Sequence, residues 1–347
     1  MKIRVHEGLF PKPVARRRVI KVMAAALAGA GSSLAGLPCS ALARHGPADG
    51  TFGWRGQALG AEGSITIAHS DRNEAERLVR LCLREIERLE NIFSLYRRTS
   101  EISRLNSAGF LQSPSHDLVR LLSVALRFCR LSEGAFDISV QPLWRLYADH
   151  FSKINAAPEG PNAELRRKAL DLIDYRQVQV SSKKVALGRP GMALTLNGIA
   201  QGYIADRVAD ILRHQGLRQV FVELGETRAI GGHPSGGPWR IGLENPLARG
   251  QVDQVVEVSD GAVATSGGYG TPFEPSGRHH HLFDPRSGQS AHRHHAVSVI
   301  AEEAATADAL STALFMITEA EARPIIRGVP RVSAIFTRLD MKKVTIG

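Results

Sequence analysis

Five short segments combine polar side chains with glycine close to where helices should begin. They are Phe93-Ser94-Leu95-Tyr96-Arg97 running on to Asn106, and Gly134-Ala135-Phe136-Asp137. The third is Leu196-Asn197-Gly198-Ile199-Ala200-Gln201-Gly202-Tyr203, with Asp206 one turn on. The fourth joins Ala264-Thr265-Ser266-Gly267-Gly268-Tyr269 to Gly277 through Gly288, and the fifth is Ala307-Asp308-Ala309-Leu310-Ser311-Thr312. Asp308 and Thr312 are one helical turn apart and share a face. They read either as hard oxygen ligands for Mg2+ or as a helix acid and a back-bonding threonine. The turn at Gly198 suits anion binding at a helix start. The histidines at 279–281, with His292, His294 and His295, suggest zinc, but consecutive residues of a strand point to opposite faces, so three in a row do not share one metal. Tyr96 reads as a ligand stacker or a rim aromatic, and Asp137 as a contact or a turn former.

The elements that must hold these segments follow from periodicity. Residues 51–69 read as one or two strands. Ala75, Val79, Cys82, Ile86, Leu89 and Phe93 form one apolar face of a helix. A second helix is expected from Ser113-Pro114, with Leu118, Leu122, Ala125 and Cys129 as its stripe and Gly134 as its stop. A Pro/Gly loop at 158–165 leads into a short polar helix, and short strands follow at 177–188. A third strong helix is expected over 198–215 with Gly216 as its left-handed cap. Strands are expected at 220–224, 239–243, 252–258 and 296–300, then a helix at 304–319 and a hairpin at 331–346. Helices and antiparallel strands are partly segregated, which predicts an α+β fold rather than a doubly wound parallel sheet.

The 347 residues are 43% apolar and 22% charged, ordinary for a globular chain and incompatible with a disordered one. Much of the net charge of +10 sits in Lys2, Arg4, Lys12, Arg16, Arg17, Arg18 and Lys21. The remainder, about +4, argues for no nucleic-acid partner. Arg16-Arg17-Arg18-Val19-Ile20-Lys21 precedes a mildly apolar run and Ala41-Leu42-Ala43. This is the pattern of a twin-arginine export signal over 1–43, with a retained anchor as the other reading. The mature chain, 44–347, is then one exported, periplasmic domain. Cys82 and Cys129 lie on apolar stripes and read as two buried thiols.

Taken in this order and at these intervals, the five segments resemble the FAD:protein FMN transferase family, also called ApbE. The resemblance runs from about Trp54 to Thr318. Val222-Glu223-Leu224-Gly225-Glu226 looks like the NosX-like subgroup, whose members serve flavoproteins of nitrous oxide respiration. The resemblance implies cleavage of FAD at its pyrophosphate, transfer of FMN to a threonine or serine of a partner flavoprotein, and release of AMP. That partner would be a membrane-bound NosR-like or Na-translocating-reductase-like subunit. It implies Mg2+ held by Asp308 and Thr312, with carbonyls at Gly198 and Ser311. Tyr96, Ala135, Phe136, Asp137, Thr195, Gln201 and Leu282 carry over as FAD contacts. Thr265 and Ser266 would offer hydroxyls and amides to phosphate or to the acceptor. His281 would be the general base, a role that suits a pKa near neutrality, and Asp308 would be catalytic through the metal.

Three departures from the family pattern stand out. Thr195 replaces a common aspartate and Gln201 a common lysine, and the later Gly-Gly-Asp run is replaced by Leu224-Gly225-Glu226. Gln201 can donate to a phosphate but not neutralise it. Two other readings use the same site: an FAD pyrophosphatase with water as nucleophile, and a non-catalytic flavin carrier.

Overall fold

The computed structural model describes residues 51–58 and 61–347. The expected export signal lies outside the described residues. No helix among those described is long and apolar enough to cross a membrane.

The frame is an eight-stranded sheet, every neighbouring pair antiparallel, in the order β1-β2-β6-β7-β10-β13-β14-β15. Its strands are β1 (Thr51–Ala58), β2 (Ala61–Ala68), β6 (Val220–Glu223), β7 (Thr227–Ile230), β10 (Gly261–Gly267), β13 (His294–Ala301), β14 (Ser333–Arg338) and β15 (Lys343–Ile346). β3 (Phe110–Gln112), β4 (Val178–Val180) and β5 (Lys184–Leu187) form a small separate sheet. β8 (Trp239–Glu244) pairs with β9 (Val252–Val258), and β11 (Phe283–Asp284) with β12 (Gln289–Ser290). The segregation of helices and antiparallel strands is the α+β arrangement expected.

The helices are α1 (Arg72–Phe93), α2 (Glu101–Ala108), α3 (His116–Leu131), α4 (Gln141–Phe151), α5 (Ala163–Leu170), α6 (Ala200–His214), α7 (Ala304–Phe315) and α8 (Glu319–Arg327). The predicted apolar face of α1 is buried along its length, and the Asp71 side chain caps its start by accepting from the Asn73 and Glu74 amides. α3 begins two residues later than expected. Ser115, not Ser113, accepts from the Leu118 amide, while Ser113 adopts a left-handed turn at φ 47°. Gly216 is left-handed at φ 86°, as expected of a cap. The helix expected over 304–319 ends at Phe315, and Thr318 and Glu321 form a capping box that starts a further helix, α8, which was not expected. β7 and β10 were not expected. They are buried nearly throughout and lack the alternation that marks a half-exposed strand.

Period-two geometry gives the sheet two different faces. On one, Ala262 and Ala264 of β10 and Val297, Val299 and Ala301 of β13 join the main core, where α6 and α7 pack. On the other, Ala229, Val263 and Ile335 meet Trp239, Ile241 and Val256 of the β8–β9 ribbon. Cys82 and Cys129 are free, buried thiols, and burial pushes the Cys82 thiol up to about 12.

Candidate active site

The junction of α6 with α7 brings residues near 200 against residues near 308. Gly202 makes this possible. A Cβ there would lie 2.3 Å from the Ala304 carbonyl oxygen, so only glycine lets the helices approach. One turn on, Asp206 caps α7. Its two carboxylate oxygens accept from the amides of Ala304 and Ala305 at 2.8 and 2.9 Å, and Arg228 pairs with it at 3.2 Å. The Gly202 amide donates to Asp308 Oδ2 at 3.1 Å. The glycine–aspartate spacing in this motif is therefore scaffolding, and it aims Asp308.

Asp308 is 4% exposed. Burial raises its carboxyl to about 7. The Gly202 amide opposes that rise and the nearby Asp206 adds to it. Among the described residues nothing donates to its other oxygen. One turn further, Ser311 Oγ donates to the Asp308 carbonyl at 2.9 Å. Ser266 Oγ, from β10, stands 2.8 Å from Ser311 Oγ and 3.3 Å from Thr312 Oγ1. Ser311 spends its proton on the carbonyl, so Ser266 donates to Ser311 and Thr312 donates to Ser266. Thr312 thus keeps its lone pairs for another partner. A Cβ on Gly198 would lie 2.9 Å from Thr312 Oγ1 and 3.2 Å from the Phe136 ring, so the Gly198 backbone lines the same cluster. Asp308, Thr312, Ser311 and Gly198, expected to act together, are gathered here.

The loop before α6 is held from outside. Asn106 clamps Leu194 through both of its backbone groups, at 2.7 and 2.8 Å, and the Thr195 amide donates to the Ile138 carbonyl. Thr195 Oγ1 accepts from the Asn197 amide, a turn-forming contact. Phe136 and Ala135 are buried beneath this loop. Asp137 is engaged within the protein: Oδ1 accepts from the Ser139 amide and hydroxyl, and Oδ2 from the Tyr175 amide. The Gln201 amide lies against Gly225. Leu282 is buried, and Tyr96 is 42% exposed at the end of α1.

Two expectations are revised. Thr265 does not put its hydroxyl with Ser266. It lies on the opposite face of β10 and bonds Ser298 Oγ at 2.9 Å, because adjacent strand residues alternate. Only its amide is left for the cluster. His281 is not poised near neutrality. Burial lowers its pKa to about 4, partly offset by the Thr271 carbonyl, so the ring is unprotonated at neutral pH. Its Nδ1 is buried with no hydrogen-bond partner. The ring stands 3.4 Å from where a Gly270 Cβ would be, on the turn that follows Ser266 and Gly267.

The neighbouring histidines have separate duties. His279, His280, His292 and His294 each meet a different backbone carbonyl, those of Pro158, Ala291, Arg278 and Ile317. No group of three or more His, Cys, Asp or Glu among the described residues is placed to hold a metal. The arrangement at α7 is instead one of carboxylate and hydroxyl oxygens. Sequence reasoning missed Asn106, which stood in the first of the five segments without a role.

The ApbE family model matches residues 59–336. The chain is similar to the FAD:protein FMN transferase of Haemophilus influenzae, 32% identical over 271 residues covering 75% of this chain and 77% of that protein. It is 33% identical over 245 residues to the FAD:protein FMN transferase of Vibrio cholerae, covering 68% and 72%. The solved flavin transferase ApbE from Vibrio cholerae superposes with a TM-score of 0.73 at 26% identity, covering 86% of this chain and 97% of that one. The apo flavinyl transferase ApbE of Pseudomonas stutzeri gives 0.71 at 28% identity, covering 85% and 93%. By sequence over most of its length and by fold, the chain belongs to the ApbE family.

Proposed function

We infer that the chain is an FAD:protein FMN transferase: it cleaves FAD at the pyrophosphate, joins FMN to a threonine or serine hydroxyl of an acceptor flavoprotein, and releases AMP. The observation that carries this reading is the oxygen cluster of Asp308, Ser266, Ser311 and Thr312, gathered beside Gly198 at the start of α6. The relatives named as transferases support it.

The donor set is all hard oxygen, which fits Mg2+ and not a thiophilic metal. Asp308 and Thr312 would hold the cation, with carbonyls of Gly198 and Ser311. When bound, it stabilises the charge that builds on the phosphate oxygens. The protein's own groups do the rest. The start of α6 presents the positive end of a helix dipole to the phosphates, and Gly198 lets the backbone approach them. The unprotonated His281 ring takes the proton of the acceptor hydroxyl. The hydroxyl oxygen bonds to the FMN phosphorus while the bond to the AMP oxygen breaks, and AMP leaves with that electron pair. Tyr96, Ala135, Phe136, Asp137, Thr195, Gln201, Thr265 and Leu282 are the proposed FAD contacts. Asp137 and Thr265 would serve through their backbones, since their side chains are engaged elsewhere.

The Arg16-Arg17-Arg18 pattern supports export to the periplasm, and the Leu224-Gly225-Glu226 run supports a membrane-bound, NosR-like acceptor. The test mixes the purified chain with FAD, Mg2+ and an acceptor domain. Denaturation-resistant flavin fluorescence on the acceptor, with AMP release and loss of both in EDTA, is the expected result. AMP without labelled acceptor would replace this reading with FAD hydrolysis. Bound FAD with neither product would replace it with a flavin carrier.

A further inference from the structure

A base is usually aimed by a hydrogen bond at its second ring nitrogen. His281 has none there: its Nδ1 is buried without a partner. Its orientation therefore comes from the backbone that carries it. The His281 amide donates to the Thr271 carbonyl at 3.2 Å, and the residue before it, His280, is anchored at every polar atom. His280 is 2% exposed. Its amide donates to Ser290 Oγ at 2.9 Å, and the same hydroxyl donates back to its carbonyl at 2.7 Å. In the ring, Nε2 meets the Ala291 carbonyl at 2.9 Å and Nδ1 meets the Leu282 amide at 3.3 Å. A carbonyl only accepts and an amide N–H only donates, so the proton sits on Nε2 and Nδ1 is bare. Burial, with His281 and His292 adding to it, pushes the pKa of this ring down to about 3, so it stays neutral.

The same ring touches both elements that carry the oxygen cluster. A Cβ on Gly268 would lie 2.7 Å from His280 Cδ2 and Nε2, so the turn that follows Ser266 and Gly267 rests its backbone on the ring. Phe315 of α7 stands edge-on to it, with ring centroids 6.1 Å apart. Phe315 lies three residues past Thr312 on the same face of α7. His280 thus meets the segment that bears Ser266, the helix that bears Asp308 and Thr312, and the residue that bears the base.

We propose that His280 is a positioning residue for the transfer reaction: in its Nε2–H form it fixes the His281 ring relative to the oxygen cluster of Ser266, Ser311 and Thr312, and it acts through His281. This rests on the reading of His281 as the base. The test measures AMP release and flavin transfer by the full chain with FAD, Mg2+ and an acceptor domain. His280→Leu keeps the bulk of the ring and loses both of its hydrogen bonds. It should lower kcat at least about tenfold and change KM for FAD less than about threefold. His280→Gln keeps an N–H for the Ala291 carbonyl and should recover part of the loss. His281→Ala should lower kcat about 100-fold or more, and adding His280→Leu to it should cost no more than about twofold further.

A wild-type kcat in His280→Leu beside a defective His281→Ala would overturn the role of His280 and leave the base standing. Losses that multiply in the double variant would do the same, since they would mark His280 as structural only. A wild-type kcat in His281→Ala would overturn the base and the proposal with it, and no turnover by wild type would overturn the transferase reading itself. If His280→Leu does not fold, or His281→Ala is too slow to divide further, His280→Gln decides. A several-fold loss of kcat at unchanged KM supports the proposal, and a wild-type kcat overturns it.

Discussion

The two faces of β10 make an instructive contrast. On the helix side Ser266 joins Ser311, Thr312 and the buried Asp308. On the ribbon side Thr265 meets Ser298, and Val263 packs in the cluster that holds Trp239. The two hydroxyl residues are neighbours in sequence and chemically alike. One lies in an arrangement of carboxylate and hydroxyl oxygens, the other stitches two strands together. What separates them is the packing on each face. The helix side carries α7, whose polar residues are aimed inward, while the ribbon side carries apolar side chains.

The contrast is broken most severely at Asp308. Asp308→Asn should reduce FAD turnover on the order of 100-fold or more, with the circular dichroism spectrum little changed. Near-normal turnover would remove Asp308 from the chemistry. The scaffold comes next. Asp206→Ala strips the cap from α7 and leaves Arg228 without its carboxylate. Denaturant unfolding should register a loss of about 3 kcal/mol, and a loss below about 1 kcal/mol would refute its role. A paired measurement then compares the two faces directly. Ser266→Ala should slow turnover several-fold. Ser298→Ala should cost about 1 kcal/mol of stability and leave turnover within about twofold. Equal effects on turnover would erase the distinction between the faces.

The last measurement concerns pH dependence. Asp308 has a folded pKa of about 7 against an ordinary 3.8. Between those values the folded chain binds more protons than the unfolded one, so this group lowers stability as pH rises through that window. His281, lowered from 6.5 to about 4, acts oppositely: stability is lost as pH falls from 6.5 towards 4. In metal-free protein, Asp308→Asn should therefore make stability fall less steeply, or rise, between pH 4 and 7. An unchanged slope in melts across that range would contradict the burial of this carboxyl. Added Mn2+ should offset the fall near pH 7 in wild type.

Much of this was legible from residue spacing. The apolar stripe of α1, the turn at Gly216 and the one-turn separation of Asp308 from Thr312 are local patterns, and local geometry enforces them. β7 and β10 were not legible, because strands buried on both faces lose their alternation. The basicity expected of His281 was too high, since burial of a ring depends on tertiary packing.

The contact of Gly202 with α7 has a consequence for the order in which the molecule is made. The Gly202 amide and Asp308 are 106 residues apart. At about 5–20 residues per second, synthesis separates them by on the order of 5–20 s. During that interval the growing chain already carries Tyr96, Phe136, Thr195 and Gln201, and it has no α7 to complete the oxygen cluster. A chain that stops before residue 304 would have all of the expected flavin contacts and no place to do chemistry. The segment from α7 onward therefore acts as a timer, and the reactive centre comes into being only when the rest of the fold is ready to hold it.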